Sequence, residues 1–116
     1  LVVDDDETVR TLEGIRLSRL GHEVTTKPDA HEALASVRDA PEAFDVVLID
    51  YHMPEMNGLE LVHALREENC DASVVLMTGL SAQLAEAKAR VVGVDHLLRK
   101  PVERHELREL LSQLAP

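Results

Sequence analysis

A chain of 116 residues carries one buried core and is too short for two, and its 45% hydrophobic and 29% charged residues fit a globular domain and exclude a disordered segment. No apolar run approaches the roughly 20 residues that cross a bilayer, and no secretory signal is visible, because Leu1-Val2-Val3 runs straight into four acidic residues. The formal charge of −10 argues against this domain itself gripping nucleic acid, where phosphates require Lys and Arg, and fits an acidic, solvated surface. Cys70 is alone, so there is no disulfide framework and no Cys-based metal site, and a reducing, cytoplasmic setting is expected. With no Trp, one Phe (Phe44) and one Tyr (Tyr51), stacking on bases is not expected either. The absence of an initiator Met leads us to expect a domain, 1–116, taken from a longer chain.

Apolar runs alternate with amphipathic stretches. Leu1–Val3 reads as a short strand. Val9, Leu12, Ile15 and Leu20 recur at near-helical spacing, and Gly21 stops that helix. His22–Thr26 reads as a second strand. Asp29 with Glu32 resembles a capping box opening a helix through Val37. Phe44–Ile49, broken only by Asp45, suits a strand buried on both faces of a parallel sheet. Met53–Gly58 is a loop with Pro54, and a helix follows from Gly58 to Glu68. Val74–Met77 is a fourth strand. Ser81 caps a predicted helix to Val92, closed by Gly93. Val94–Leu98 is a weaker fifth strand, ended by Pro101, and Glu103–Leu114 is the last helix. The order βαβαβαβαβα predicts an α/β fold: a parallel sheet, doubly wound, with helices on both faces.

In open parallel sheets, ligands bind beyond the carboxyl ends of the strands. Here the first strand ends in Asp4-Asp5-Asp6, the third in Asp50, the fourth in Thr78-Gly79 and the fifth in Lys100-Pro101. Each has a plainer explanation when taken alone. The Asp4–Glu7 run suits a helix N-terminus, Asp50 a turn, Thr78 a backbone hydrogen bond, and Lys100 the solvent. Together they place carboxylates, one hydroxyl and one ammonium on a single edge. Clustered carboxylates need a compensating cation, and all-oxygen ligands favour Mg²⁺. Such an ion leaves one carboxylate to attack phosphorus, while a hydroxyl and a Lys hold phosphoryl oxygens. That assigns Asp50 as nucleophile, Asp4 and Asp5 as metal holders, and Thr78 and Lys100 as oxygen clamps.

These pieces resemble the response-regulator receiver family over essentially the whole chain. The matching segments are Val2-Val3-Asp4-Asp5-Asp6-Glu7, Asp45-Val46-Val47-Leu48-Ile49-Asp50, Met53-Pro54-Glu55-Met56-Asn57-Gly58, Val75-Leu76-Met77-Thr78-Gly79 and Arg99-Lys100-Pro101. The resemblance implies a five-stranded, flavodoxin-like sheet of order 2-1-3-4-5. It implies two-component signalling, in which Asp50 takes a phosphoryl group from a phosphohistidine on a sensor histidine kinase or histidine phosphotransfer protein. It implies Mg²⁺ held by Asp5, Asp50 and the backbone carbonyl of His52, with Asp4 nearby, and a cis Lys100–Pro101 bond. No nucleic acid and no membrane contact are implied for this domain.

The chain departs from the family at Leu97, where members often carry Tyr or Phe three residues before the Lys. The hydroxyl–aromatic switch of the family is therefore in doubt, and a weaker or differently routed conformational change is expected. His52 and Leu80 fall at positions that flank the path of an attacking water in the family. His22, His31, His63, His96 and His105 show no metal-ligand spacing and read as surface. Tyr51 is expected to be partly buried beside the site. Thr78-Gly79-Leu80-Ser81 and the segment from His96 to Val102 resemble receivers of hybrid sensor kinases.

A rival reading takes Asp4-x-Asp6-x-Thr8 as the first motif of haloacid-dehalogenase-type phosphatases, with Asp4 as nucleophile. It lacks an acidic pair after the Lys and leaves Asp50 unexplained. A flavodoxin-like nucleotide binder lacks a phosphate loop after the first strand.

Overall fold

The computed structural model describes residues 1–53, 55–79, 93–100 and 102–114. Five parallel strands, β1 (Val2–Val3), β2 (Thr26–Lys27), β3 (Val46–Asp50), β4 (Ser73–Thr78) and β5 (His96–Arg99), form one sheet of order β2-β1-β3-β4-β5. Among the described residues four helices accompany them: α1 (Glu7–Arg19), α2 (Ala30–Asp39), α3 (Gly58–Glu67) and α4 (Arg104–Leu114). The predicted helix 81–92, Pro54, Leu80 and Pro101, and with Pro101 the expected cis bond, lie outside the described residues.

Strand periodicity divides the core into two layers. Successive side chains point to opposite faces. Val3, Val47, Ile49, Val74 and Leu76 pack with α2 and α3 on one face, while Val2, Leu48, Val75 and Met77 pack with α1 and α4 on the other. The helices present matching stripes. In α2 the buried residues are Ala30, Ala33, Leu34 and Val37, and in α3 they include Leu61, Val62 and Leu65, the spacing of one helical face. In α4 Leu107 and Leu111 are buried one turn apart. The doubly wound sheet expected from the sequence is therefore present.

α1 is different. Asp6 caps it, its side chain accepting from the Thr8 and Val9 amides, and Gly21 follows its end at φ +95°. The apolar residues that mark it as a helix do not build the core, since Leu12 is 48% and Ile15 45% exposed. Its buried residues are Glu13 and Leu17.

The second strand is shorter than His22–Thr26 and later. A ladder is only as long as its shorter partner. β1 offers Val2 and Val3, which pair with Thr26 and Lys27, and the Val2 amide also bonds the Thr25 carbonyl at 2.8 Å. Asp29 caps α2 by accepting from the Glu32 amide. The reciprocal capping box occurs at α3 instead, where Asn57 accepts from the Glu60 amide and Glu60 accepts from that of Asn57.

Gly58 fixes how closely α3 approaches the end of β3. Its amide donates to Tyr51 O at 2.9 Å. A Cβ here would sit 2.6 Å from the Leu76 side chain, 2.9 Å from Tyr51 Cα and 3.1 Å from Asp50 O. Two of these neighbours are backbone of the segment that carries Asp50, so they cannot yield without moving it. Gly58→Ala is expected to destabilise the domain by about 1–3 kcal/mol in urea unfolding. Unchanged stability would show that α3 can shift outward freely.

Candidate functional site

Asp4 follows β1, Asp50 ends β3, Thr78 ends β4 and Lys100 follows β5. In a parallel sheet all four stand on the carboxyl edge. β1 and β3 pair directly, with Val3 opposite Ile49, so the residue after each is brought to the same place. Asp4, Asp50 and Thr78 are 1%, 3% and 2% exposed, whereas Asp5 is exposed. One ligand oxygen from each of Asp4, Asp5 and Asp50 lies within 4.8 Å of the others.

Backbone bonds hold this edge. The Tyr51 amide donates to Met77 O, and the Lys100 amide donates to Thr78 O, both at 2.9 Å. Asp4 Oδ1 accepts from the Asp6 amide at 3.0 Å, and the Asp4 carbonyl accepts from Arg10 Nη1 at 2.9 Å. Asp4 Oδ2 is buried without a hydrogen-bond partner. Lys100 Nζ stands 2.7 Å from Asp50 Oδ1 and forms an ion pair with it.

The charges act on one another accordingly. Burial pushes the Asp4 carboxyl above its ordinary range. The Asp6 amide pulls it back, and Asp50 pushes it further up. Burial alone would lower Lys100. Its contact with Asp50, and the charges of Asp4 and Glu13, outweigh that and hold it above its ordinary value.

Glu13 is a member of this charge cluster that no motif singled out. It is buried on α1, and its Oε2 has no partner. Burial first, then the charges of Asp4 and Asp50 against those of Lys100 and Arg16, push its carboxyl up from 4.5 to about 7. The only signal in the sequence is its position four residues before Leu17, on the same helical face.

His52, two residues after Asp50, is exposed, and its ring meets that of Tyr51 edge-on at 5.0 Å. Tyr51 is partly buried against the core, as expected. Leu97 is also partly buried and lies opposite Leu76. His31, His63 and His105 are exposed, and His22 and His96 are half-buried. Glu103, His105 and Glu106 also bring ligand atoms within 4.8 Å, but all three are exposed at the start of α4, where carboxylates are favoured by the helix dipole. A hollow lined by Leu1, Leu17, Phe44 and Leu111 together with His22, Glu23 and Asp45 lies at the opposite end of the strands and contains none of the site residues.

Residues 1–112 match the family model described as the response regulator receiver domain. The chain belongs to the response-regulator receiver family. It is 33% identical to the two-component response regulator ARR22 of Arabidopsis thaliana over 98% of this chain and 81% of that protein. It is 32% identical to a chemotaxis protein CheY homolog of Campylobacter jejuni over 98% of this chain and 89% of that protein. Chemotaxis protein CheY4 of Vibrio cholerae superposes with a TM-score of 0.88 at 30% identity, covering 97% of this chain and 94% of that one. The DNA-binding transcriptional regulator NtrC of Azospirillum brasilense is 34% identical over 92% of this chain, which spans only 22% of its length.

This receiver domain serves two-component signal transduction. The phosphatase alternative falls with that assignment. The structure also weakens it locally, because the Asp4 carboxylate is buried and tied to the Asp6 amide. Among the described residues no helix is long and apolar enough to cross a membrane.

The raised Glu13 carboxyl has a consequence for stability. Its folded value of about 7 lies above the unfolded 4.5, so the metal-free fold holds a proton there that the unfolded chain loses. Its contribution to stability is full below the unfolded value and is lost as pH rises to the folded one. Glu13→Gln removes this dependence. In a chelator, urea unfolding is expected to show wild type losing on the order of 3 kcal/mol relative to Glu13→Gln as pH rises through that window. Parallel pH profiles for the two proteins would show that the carboxyl is not perturbed.

Proposed function

We propose that the receiver accepts a phosphoryl group on Asp50 from a phosphohistidine of a sensor histidine kinase or histidine phosphotransfer protein. The observation that carries this is the buried Asp50 carboxylate, 2.7 Å from Lys100 Nζ and grouped with Asp4 and Asp5. A carboxylate oxygen of Asp50 bonds to phosphorus as the phosphorus–nitrogen bond breaks. The electron pair of that bond returns to the donor imidazole, which takes up a proton. Lys100 keeps one Asp50 oxygen fixed before transfer and holds a phosphoryl oxygen after it, and the Thr78 hydroxyl holds another. The domain catalyses only its own phosphorylation and dephosphorylation.

The donor set fits Mg²⁺. Three carboxylates stand within reach of one ion, and the buried Asp4 Oδ2 lacks a partner. Asp5, Asp50 and the His52 carbonyl would hold it, with Asp4 nearby. When bound, the ion neutralises carboxylate and phosphoryl charge. A cytoplasmic compartment and an output controlled by this domain, within one chain or through a partner, belong to the same proposal. Because Leu97 replaces the usual aromatic ring, the phosphorylation signal is proposed to leave by a route other than inward rotation of a ring.

Intact-mass spectrometry after incubation with acetyl phosphate tests the assignment. One phosphoryl adduct is expected on wild type, dependent on Mg²⁺ and absent from Asp50→Asn. An adduct that persists in the variant would move the nucleophile elsewhere.

A further inference from the structure

Of the three buried carboxylates among the described residues, Asp4, Asp50 and Glu13, only Glu13 has no part in the proposed transfer. It is 9% exposed, shares its helical face with Leu17, and occupies a position where an apolar side chain would extend the core. Its burial is not offset by any hydrogen bond to Oε2. Among the described residues three buried oxygens share that condition, Glu13 Oε2, Asp4 Oδ2 and Asp50 Oδ1, and of these only Asp50 Oδ1 meets a cation, Lys100 Nζ; Glu13 Oε2 and Asp4 Oδ2 are left without a donor. Glu13 lies close enough to Asp4, Asp50 and Lys100 for each of those charges to act on it.

Buried acceptors are ordinarily satisfied, and water is the donor most available to these two. Mg²⁺ keeps several of its own waters when it binds protein carboxylates. Groups behind the direct ligands accept hydrogen bonds from the coordination sphere and tune affinity for the metal. We propose that Glu13 is a positioning residue of the Mg²⁺ site, an outer carboxylate that accepts hydrogen bonds from water held by the ion. This rests on the phosphoacceptor reading. It makes the pocket a four-carboxylate one, with Asp5 and Asp50 as direct ligands and Glu13 holding the hydration shell on the α1 side.

The test is Mg²⁺ titration of the whole chain at about pH 8, where Glu13 is ionised, followed by Tyr51 emission and by calorimetry. Wild type, Glu13→Gln, Glu13→Leu, Glu13→Asp and Asp5→Asn are compared. Glu13→Gln and Glu13→Leu are expected to bind Mg²⁺ at least about tenfold more weakly, with Glu13→Asp recovering part of the loss. Both are also expected to melt higher than wild type without metal, which shows that they fold. Wild-type Mg²⁺ affinity in Glu13→Gln and Glu13→Leu, with the same rise in melting temperature, would overturn the proposal and leave Glu13 a buried acid that only costs stability. Asp5→Asn separates the two readings. Loss of Mg²⁺ binding there with no effect at Glu13 sinks only this inference, whereas no Mg²⁺ binding by wild type sinks both.

Discussion

Lys100 against Asp50 is the interaction on which the carboxyl edge depends. Asp4 and Asp50 are almost wholly buried, Asp5 stands within ligand distance of both, and Glu13 adds a further buried carboxyl. Removing an ionised group from water costs several kcal/mol even after the protein relaxes. Among the described residues, the Lys100 ammonium meets one oxygen of Asp50 and leaves the other carboxylates under-compensated. Burial first, and after it this excess of negative charge, raises the Asp4 and Glu13 carboxyls. Carboxylates grouped in this way repel one another, a repulsion that a bound divalent cation would offset.

The rest of the fold keeps that repulsion from opening the edge. The strands that end in Asp50 and Thr78 are buried along almost their whole length, with a helix layer on each face. Beyond the strands, the Tyr51 amide is tied to β4 and the Gly58 amide to Tyr51. On the far side of β4, the Lys100 amide is tied to Thr78. Each acidic or basic group therefore projects from a segment whose backbone is already bonded to its neighbour. A carboxyl edge built this way keeps its geometry before any ligand arrives, which lowers what binding must spend on ordering. Arg66 performs a related task at the other end of β4, where its guanidinium bonds the carbonyls of Cys70, Ala72 and Gly93 and the Asp95 carboxylate.

Strand order and the convergence of Asp4, Asp5, Asp50, Thr78 and Lys100 were legible because both follow from period. Apolar runs that alternate with helical stripes define a parallel sheet, and polar residues at the ends of such runs share one edge whatever the loops do. The direct ion pair of Lys100 with Asp50 was not legible, since spacing places a residue at an edge and not against a neighbour. Helix α1 was read correctly as a helix for a reason that does not describe its packing. Leu12 and Ile15 carry the period yet face solvent, while Glu13 and Leu17 face the sheet. A carboxylate at a core position violates the rule that pattern reading relies on. Such violations concentrate at sites where chemistry overrides packing. The late start of β2 was hidden for another reason: the length of its ladder is set by β1 and not by its own residues.

A phosphoryl group on Asp50 would change the balance of charge at the carboxyl edge. In the resting state Lys100 answers Asp50, and Thr78 is buried at the end of β4. A phosphoryl group on Asp50 adds negative charge and strong acceptor oxygens at the point where negative charge is already in excess. Lys100 and Thr78 are the groups placed to answer it, and each is bound through its backbone to the other's strand. Reorientation of the Lys100 ammonium or the Thr78 hydroxyl would therefore act on β4 and β5 together. Leu97 lies two residues from the end of β5, partly buried and opposite Leu76, which is itself fully buried. An aliphatic side chain in that position has no polar group and touches its surroundings by packing alone. Cores respond to displacement by shifting between discrete arrangements, so a change begun at the phosphoryl oxygens would travel along the β4–β5 pair and into the packing beneath it.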